Sequence, residues 1–463
     1  MNTPITMPPI PRIVRVGDEI SRPRTDDDRK VPFRPIPADL SSQGIRSWLD
    51  DLGPWLMFFF SIYVVLMLKL ITFHSLFDHM LLGFYSILIT TYILSRFLFS
   101  YFKKAVAYDG SYQPSVAFVV PAKNEEDNIA ETIRRFGMVD YPMEKIEVII
   151  IDDGSTDGTL AQMRLAAAEL RGKIGRVEVT HWEVNRGKRE GMAEGAKQAR
   201  NDIVIFVDSD SFIEPDCVKH LTKYFSDPMI GAVSAHTDVF NRDTNVLTRM
   251  QTIRYYISFR VYKAAESVFG TVTCCPGCCS AYRRSYLMEF IDEWLNQIFL
   301  GSKCTFGDDR SLTNYMIRKY RAVYSEDAKA FTVVPDTFKV YMKQQQRWKK
   351  SWVRETFIAG SFMWKKNPIA AFSFYAYMFL AFISPVIFFR ALILYPIQEH
   401  QWPVVYLLGL FLMLVIHGIF YRINTGQRRW MLATVNFWFN TVILMWQLPW
   451  AVVTLKDSRW GTR

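Results

Sequence analysis

The stretch Val148-Ile149-Ile150-Ile151-Asp152-Asp153-Gly154-Ser155 decides how this chain is read. Four β-branched residues in a row suit a strand buried on both faces, and a polar turn with two carboxylates ends it. A helix follows from Thr159 to Leu170. Upstream, Val116 to Val120 reads as an equally buried strand. It ends in Pro121-Ala122-Lys123-Asn124-Glu125, with a helix from about Glu126 to Phe136. Downstream come a third strand, Val177 to Thr180, a helix opening near Lys188, and a fourth strand, Ile203 to Val207, ending in Asp208-Ser209-Asp210. Strands alternating with helices predict an α/β domain, a mostly parallel sheet with helices on both faces. Ligands of such sheets bind beyond the carboxyl ends of the strands. Three polar clusters at three strand ends therefore converge on one crevice.

Outside this middle region the apolar residues collect in long runs. A spanning helix needs about 20 mostly apolar residues. Pro54–Phe73 and Asp78–Phe102 qualify and form a hairpin through a short turn at His74, with Arg96 snorkelling to the interface. Later runs are Pro368–Ile397, Pro403–Tyr421 and Met431–Leu455. Lys103 and Lys104 mark the cytosolic side, as do Arg422, Arg428 and Arg429 in a later loop. Five spans counted this way leave the C-terminus outside. Residues 1–50 are rich in Pro, Arg and Asp, without the apolar core of a signal peptide, and read as a disordered cytosolic tail. The expected organisation is then a transmembrane hairpin at 51–104, a cytosolic catalytic domain at 105–340, an interface segment at 341–366, C-terminal transmembrane helices at 367–455 and a short tail at 456–463.

The net charge of +10 suits anionic lipid headgroups, diphosphates or an anionic product. Nucleic acid is not expected, because zinc-finger spacing and aromatic-basic RNA signatures are lacking. Four of the six cysteines crowd into Cys274-Cys275-Pro276-Gly277-Cys278-Cys279. A zinc site would need a second ligand pair at the usual spacing, so reduced cytosolic thiols are expected. Two basic amphipathic segments, Leu247–Ala264 and Trp348–Phe357, are expected in the membrane interface, with packing on the sheet as the alternative.

The carboxylates Asp208 and Asp210 suit a hard divalent cation, Mg²⁺ or Mn²⁺, that bridges to phosphates. No Walker motif is present: Trp182 stands where its first glycine belongs, and Arg189 follows Lys188. Lys188 at a helix N-terminus is a natural diphosphate contact, or a basic surface turn. Gly307-Asp308-Asp309-Arg310 precedes a helix expected near Leu312, with Asp308 as its cap and Asp309 available as a general base. In Gln344-Gln345-Gln346-Arg347-Trp348, Arg347 can stabilise a departing diphosphate and Trp348 offers a flat face to a sugar; an interfacial anchor is the alternative. Arg390, inside an apolar run, lines a path through the helices or snorkels to the outer face.

In this order the motifs resemble the processive family 2 glycosyltransferases, nearest to the hyaluronan synthases, over roughly residues 50–463. Phe299–Asn314, Gln344–Glu355 and Trp460-Gly461-Thr462-Arg463 carry the likeness most strongly. Chitin and cellulose synthases share the separate motifs. The resemblance implies a GT-A-like domain between transmembrane helices, inverting transfer from UDP-sugars, and passage of the polymer through the bilayer. It implies that Ala122, Glu125 and Asp153 hold the uridine, with Asp208 near the nucleotide and Asp210 on the metal. Lys188 and Arg347 would face the diphosphate, Gln344 would bind the nucleotide, Asp309 would be the base, and Trp348 and Cys279 would line the acceptor site. UDP-GlcNAc and UDP-glucuronate are the implied donors and hyaluronan the product. The family's Ser-Gly-Pro-Leu-Gly-like acceptor loop is replaced here by Cys275–Ala281. The resemblance also implies a cytosolic C-terminus, so one apolar segment should be broken or re-entrant, with Pro368–Ile397 and its Pro385 the expected place. A chitin-like synthase, a single-sugar transferase acting on polyprenyl phosphate, and an export protein with an inactive domain are the rival readings.

Overall fold

The computed structural model describes Arg34 and residues 48–71, 80–427 and 430–456. The expected disordered tail before residue 48, the turn at His74, Arg428 and Arg429, and the C-terminal Trp-Gly-Thr-Arg lie outside the described residues.

The central sheet has eight strands in the order β3-β2-β1-β4-β7-β6-β10-β5. Its first half is parallel: β1 (Val116–Ala122) pairs with β2 (Ile146–Asp153) and β4 (Ile203–Phe206), and β2 pairs with β3 (Arg176–Trp182). All residues of β1 and β2 are buried, which is why both read as uninterrupted apolar runs. The second half contains β5 (Ser211–Ile213), β6 (Ile230–Val239), β7 (Ser280–Arg283) and β10 (Arg321–Thr332). There β7 runs antiparallel to β4 and β6, while β6 and β10 are parallel. A small hairpin, β8 (Ile298–Phe299) and β9 (Ser302–Lys303), stands apart.

Strand side chains alternate between faces. Val116, Phe118 and Val120 pack with α3 (Ile129–Phe136) and α4 (Thr159–Leu170), and the Phe118 and Phe136 rings stack 4.1 Å apart. Ala117 and Val119 face α5 (Lys188–Gln198) on the other side. Gly191 and Gly195 let α5 approach closely. A methyl on Gly195 would fall within the Val119 side chain, and one on Gly191 would lie 2.8 Å from Pro121 Cβ. Gly195→Ala should therefore cost about 1–3 kcal/mol by overpacking, read as a lower Tm in detergent; an unchanged Tm would contradict this packing.

Among the described residues, five helical segments are long and apolar enough to cross a membrane. The first two are α1 (Trp48–Ile71) and α2 (Met80–Tyr101). Leu56, Phe59 and Phe60 of α1 are exposed, as suits contact with lipid. Between sheet and membrane lie α6 (Val246–Ile257) and α9 (Phe338–Gly360). On the far sheet face, α7 (Arg284–Leu295) packs with α8 (Asp308–Lys319). Ile253 and Ile257 of α6 pack with Phe58, Val65 and Met413 of the membrane helices, so this amphipathic segment joins the two regions.

The chain is not broken at Pro385. Helix α10 (Pro368–Phe389) continues past that proline and on through a π-turn at Arg390–Leu394. After α11 (Val404–Thr425), the last segment is also helical throughout but less regular. It comprises α12 (Met431–Trp438), a π-turn at Phe439–Ile443, a 3-10 turn at Leu444–Trp446 and α13 (Gln447–Val453). Contacts with α9 lie at these turns. Lys349 donates to the Leu444 carbonyl, Gln447 Nε2 donates to Met342 O at 3.3 Å, and Leu448 and Ala451 pack on Val353. Backbone groups released from a helix must find other partners, and α9 supplies one.

Candidate active site

One cavity of about 1540 Å³ reaches from the carboxyl ends of β1, β2 and β4 to the interior of the membrane helices. Ala122, Glu125, Asp153, Lys188, Asp208, Asp210, Asp309, Gln344, Arg347 and Trp348 all line it.

The β1 end turns through Asn124 at φ +54°, a left-handed conformation that asparagine tolerates. Asn124 Oδ1 accepts from Thr156 N at 2.9 Å, and Glu125 N donates to Thr159 Oγ1 at 2.7 Å, tying the β1 and β2 loops together. The two β2 carboxylates part company. Asp152 is fully buried and meets His181 Nδ1 at 2.6 Å, away from the cavity. Asp153 accepts from Arg186 N at 2.6 Å and Gly187 N at 2.9 Å. Burial pushes the Asp153 carboxyl above its ordinary value, against the pull of those two bonds. The turn it holds has Gly187 at φ +97° and starts α5, whose first residue is Lys188.

The Lys188 ammonium is paired with Asp208. Burial alone would lower its pKa, but Asp208 and Asp309 outweigh burial and the net shift is upward. Gly277 makes room for this pair: a methyl there would lie 2.7 Å from Asp208 Oδ1 and 3.0 Å from Lys188 Nζ. Its backbone N–H donates to Asp309 Oδ2 at 3.2 Å. Asp309 titrates above the usual range, chiefly because it is buried; Asp208 and Asp308 add to the shift and Lys188 opposes it. Burial of this kind favours the protonated form of a carboxyl group. Asp210 is almost fully buried, with Oδ1 3.5 Å from Thr332 Oγ1.

Three expectations need correction. Helix α8 begins at Asp308 rather than near Leu312, with Gly307 in the cap position at φ +75° and ψ +37°. Asp308 caps nothing; it pairs with buried Arg189. Cys279 does not line the acceptor end. Its sulfur is buried 3.9 Å from that of Cys217, and Cys278 faces the cavity instead. Burial pushes the Cys278 thiol up, and Asp208 and Asp210 add to it. Arg96, expected to snorkel to the interface, is instead buried, lines the cavity and donates to Ser373 Oγ at 2.7 Å; Arg390 is not among the lining residues, which leaves the outer-face alternative for it.

On α9, Gln344, Arg347 and Trp348 stand at i, i+3 and i+4 and share one face. Gln345 is buried and accepts from Arg254, whose guanidinium lies 5.8 Å from the Trp348 ring centroid. Beyond Trp348 the cavity continues past Tyr85, Ser86, Thr90, Tyr92 and Arg96 of α2, and past Asn440 and Thr441 in the π-turn of the last segment. Apart from Arg96, sequence reasoning overlooked these residues. The polar positions of α2 do recur at helical spacing within an otherwise apolar run, and that was the available signal.

Residues 117–291 match the family described as Glycosyl transferase family 2. A glycosyltransferase embedded in a membrane is the class that this sheet, this cavity and these helices define. The chain is 32% identical over 419 residues to a hyaluronan synthase of Streptococcus pyogenes, covering 88% of this chain and 96% of that one. An N-acetylglucosaminyltransferase of Rhizobium meliloti is 37% identical over 261 residues, 56% of this chain and 60% of that one. A mannosyltransferase from Pyrobaculum calidifontis, solved with GDP-Man and Mn²⁺, shares the fold at a TM-score of 0.55 and 21% identity, with 82% of this chain and all of that one covered. The chain belongs to the hyaluronan synthase family of family 2 glycosyltransferases, and it is an integral membrane protein.

Proposed function

We propose that the protein polymerises hyaluronan from UDP-GlcNAc and UDP-glucuronate and passes the growing chain across the bilayer. The observation that carries this reading is the single cavity joining Lys188, Asp208 and Asp309 to the polar-lined interior of the membrane helices. The uridine would rest against Ala122, Glu125 and Asp153, and the diphosphate would face Lys188, Gln344 and Arg347. Asp309 takes the proton from the acceptor hydroxyl held over Trp348. That oxygen attacks the anomeric carbon from the face opposite the diphosphate, so the configuration inverts and UDP departs. Arg347 and Lys188 offset the charge that builds on it.

Asp208 and Asp210 line the diphosphate end as two hard-oxygen donors separated by one residue, a set that fits Mg²⁺ or Mn²⁺. When bound, such an ion supplies further positive charge to the leaving group. Lys103 and Lys104, just after α2, support a cytosolic side for the catalytic domain, residues 105–340; the plasma membrane is the membrane expected.

Purified protein given UDP-sugars singly and in pairs, with Mg²⁺ or Mn²⁺, tests the donor assignment. Long polymer is expected only when UDP-GlcNAc and UDP-glucuronate are both present. The likeness to the Rhizobium enzyme and the altered loop at Cys275–Ala281 favour a second reading, a polymer of GlcNAc alone. Polymer from UDP-GlcNAc as sole donor would establish that reading and overturn hyaluronan.

A further inference from the structure

At the wall of the cavity lies a second pair of charges, displaced by one residue on both chain segments. Lys188 and Asp309 face the cavity; Asp308 also forms part of its wall, but its carboxylate is turned to Arg189 behind it, Nε to Oδ1 at 2.7 Å. The side chains of the inner pair are 5% and 2% exposed. Arg189 Nη1 also donates to Trp294 O and to Gln297 Oε1, each at 3.1 Å. Gln297 Nε2 in turn donates to Glu355 Oε1 at 3.2 Å. Glu355, on α9, accepts from Asn314 Nδ2 of α8 at 3.0 Å and from Arg354 Nε at 2.8 Å. Arg354 reaches back to the carbonyl of Phe306, at the start of α8.

Two buried cations and two buried carboxylates therefore connect three helices. These are α5 with Lys188, α8 with Asp309, and α9 with Arg347 and Trp348. Such a network is poor evidence of stability, because apolar residues of similar volume usually serve as well or better. What it does supply is direction, since the planar guanidinium binds only along its fork.

We propose that Arg189 and Asp308 are positioning residues, a buried ion pair that holds the diphosphate lysine and the base in fixed register and, through Gln297 and Glu355, ties both to the helix carrying Arg347 and Trp348. The inference rests on reading Lys188 as the diphosphate contact and Asp309 as the base. The two buried side chains are spent on each other, so they act through their neighbours in the chain.

The test separates register from stability. Arg189→Met and Asp308→Leu singly each strand a buried charge, so both Tm and kcat should fall. The double variant removes both charges and should recover most of the Tm. Its affinity for UDP should fall far less than kcat, which remains about 100-fold low, as expected for a misplacement of roughly 1 Å. A double variant with parental kcat would overturn the proposal. So would a loss of UDP affinity matching the loss of kcat, since the pair would then shape the donor pocket only. Should the double variant not fold, Gln297→Leu carries the same test, because it cuts the link to α9 from outside the cavity. A reduced kcat with UDP affinity kept supports the proposal, and a parental kcat overturns it. An active Asp309→Asn enzyme would instead sink the reading of the base on which the inference stands.

Discussion

Asp309→Asn is expected to slow polymer synthesis by about 10²–10⁴-fold while UDP still binds. The amide keeps the shape of the carboxyl, so Gly277 N–H and the start of α8 retain their places, but it cannot take a proton from the acceptor. General-base catalysis is worth about 10²–10⁴-fold, and the loss should fall in that range. The pH dependence of the parent enzyme provides a second check. Burial holds the Asp309 pKa above the ordinary carboxylate value of about 4, Asp208 and Asp308 raise it further, and Lys188 offsets part of the shift. Only the ionised form is a base, so kcat should fall as pH drops through that raised value. A polymerisation assay between pH 4 and 8 should therefore show its acid limb above the usual carboxylate range. Full activity in the Asn variant would remove Asp309 from the mechanism.

Gly307→Ala should have the next largest effect. Gly307 starts α8 at φ +75°, where an L-side chain costs about 1–2 kcal/mol. Its Cβ would also collide with the side chain of Ser351 on α9 and lie 3.2 Å from Arg354 Nη2. The only relief is to part α8 from α9, which moves Asp309 away from Arg347 and Trp348. A shift of that kind should lower kcat by about 100-fold, together with a lower Tm. Gly301 is the control: its φ is +80°, but a methyl group there would meet nothing within 4 Å. Gly301→Ala should lose only the conformational term and keep its rate. Equal effects at the two glycines would show that backbone strain, not the α8–α9 contact, governs the loss.

The first four strands were legible because they are locally simple. β1, β2 and β4 are buried throughout, and burial on both faces leaves an apolar run that needs no partner to be recognised. β6 and β10 were not legible, for opposite local reasons. β6 buries His236, Thr237 and Asp238, so its pattern looks like a polar turn. β10 has an irregular register between Tyr324 and Lys329, where Glu326 and Asp327 interrupt the alternation. The α8 start was misplaced because Gly307-Asp308-Asp309-Arg310 reads as a turn. The left-handed glycine, rather than a side chain, sets the helix boundary.

Sequence alone determined the chemistry of each segment: carboxylates at the ends of buried strands, a lysine opening a helix, an Arg-Trp pair at helical spacing, and apolar runs long enough to span a membrane. These are properties of period and residue type, which a short stretch carries within itself. The tertiary structure decided which member of each polar pair faces the cavity. The parallel register that sets Asp152 opposite His181 sends Asp153 to the cavity. The entry into β7 turns Cys278 towards the cavity and Cys279 into the core. It also decided that Arg96 is buried against the passage rather than snorkelling, and that the last apolar segment carries a π-turn and a 3-10 turn where it meets α9. Orientation of this kind depends on partners far away in the chain, and no local pattern records them.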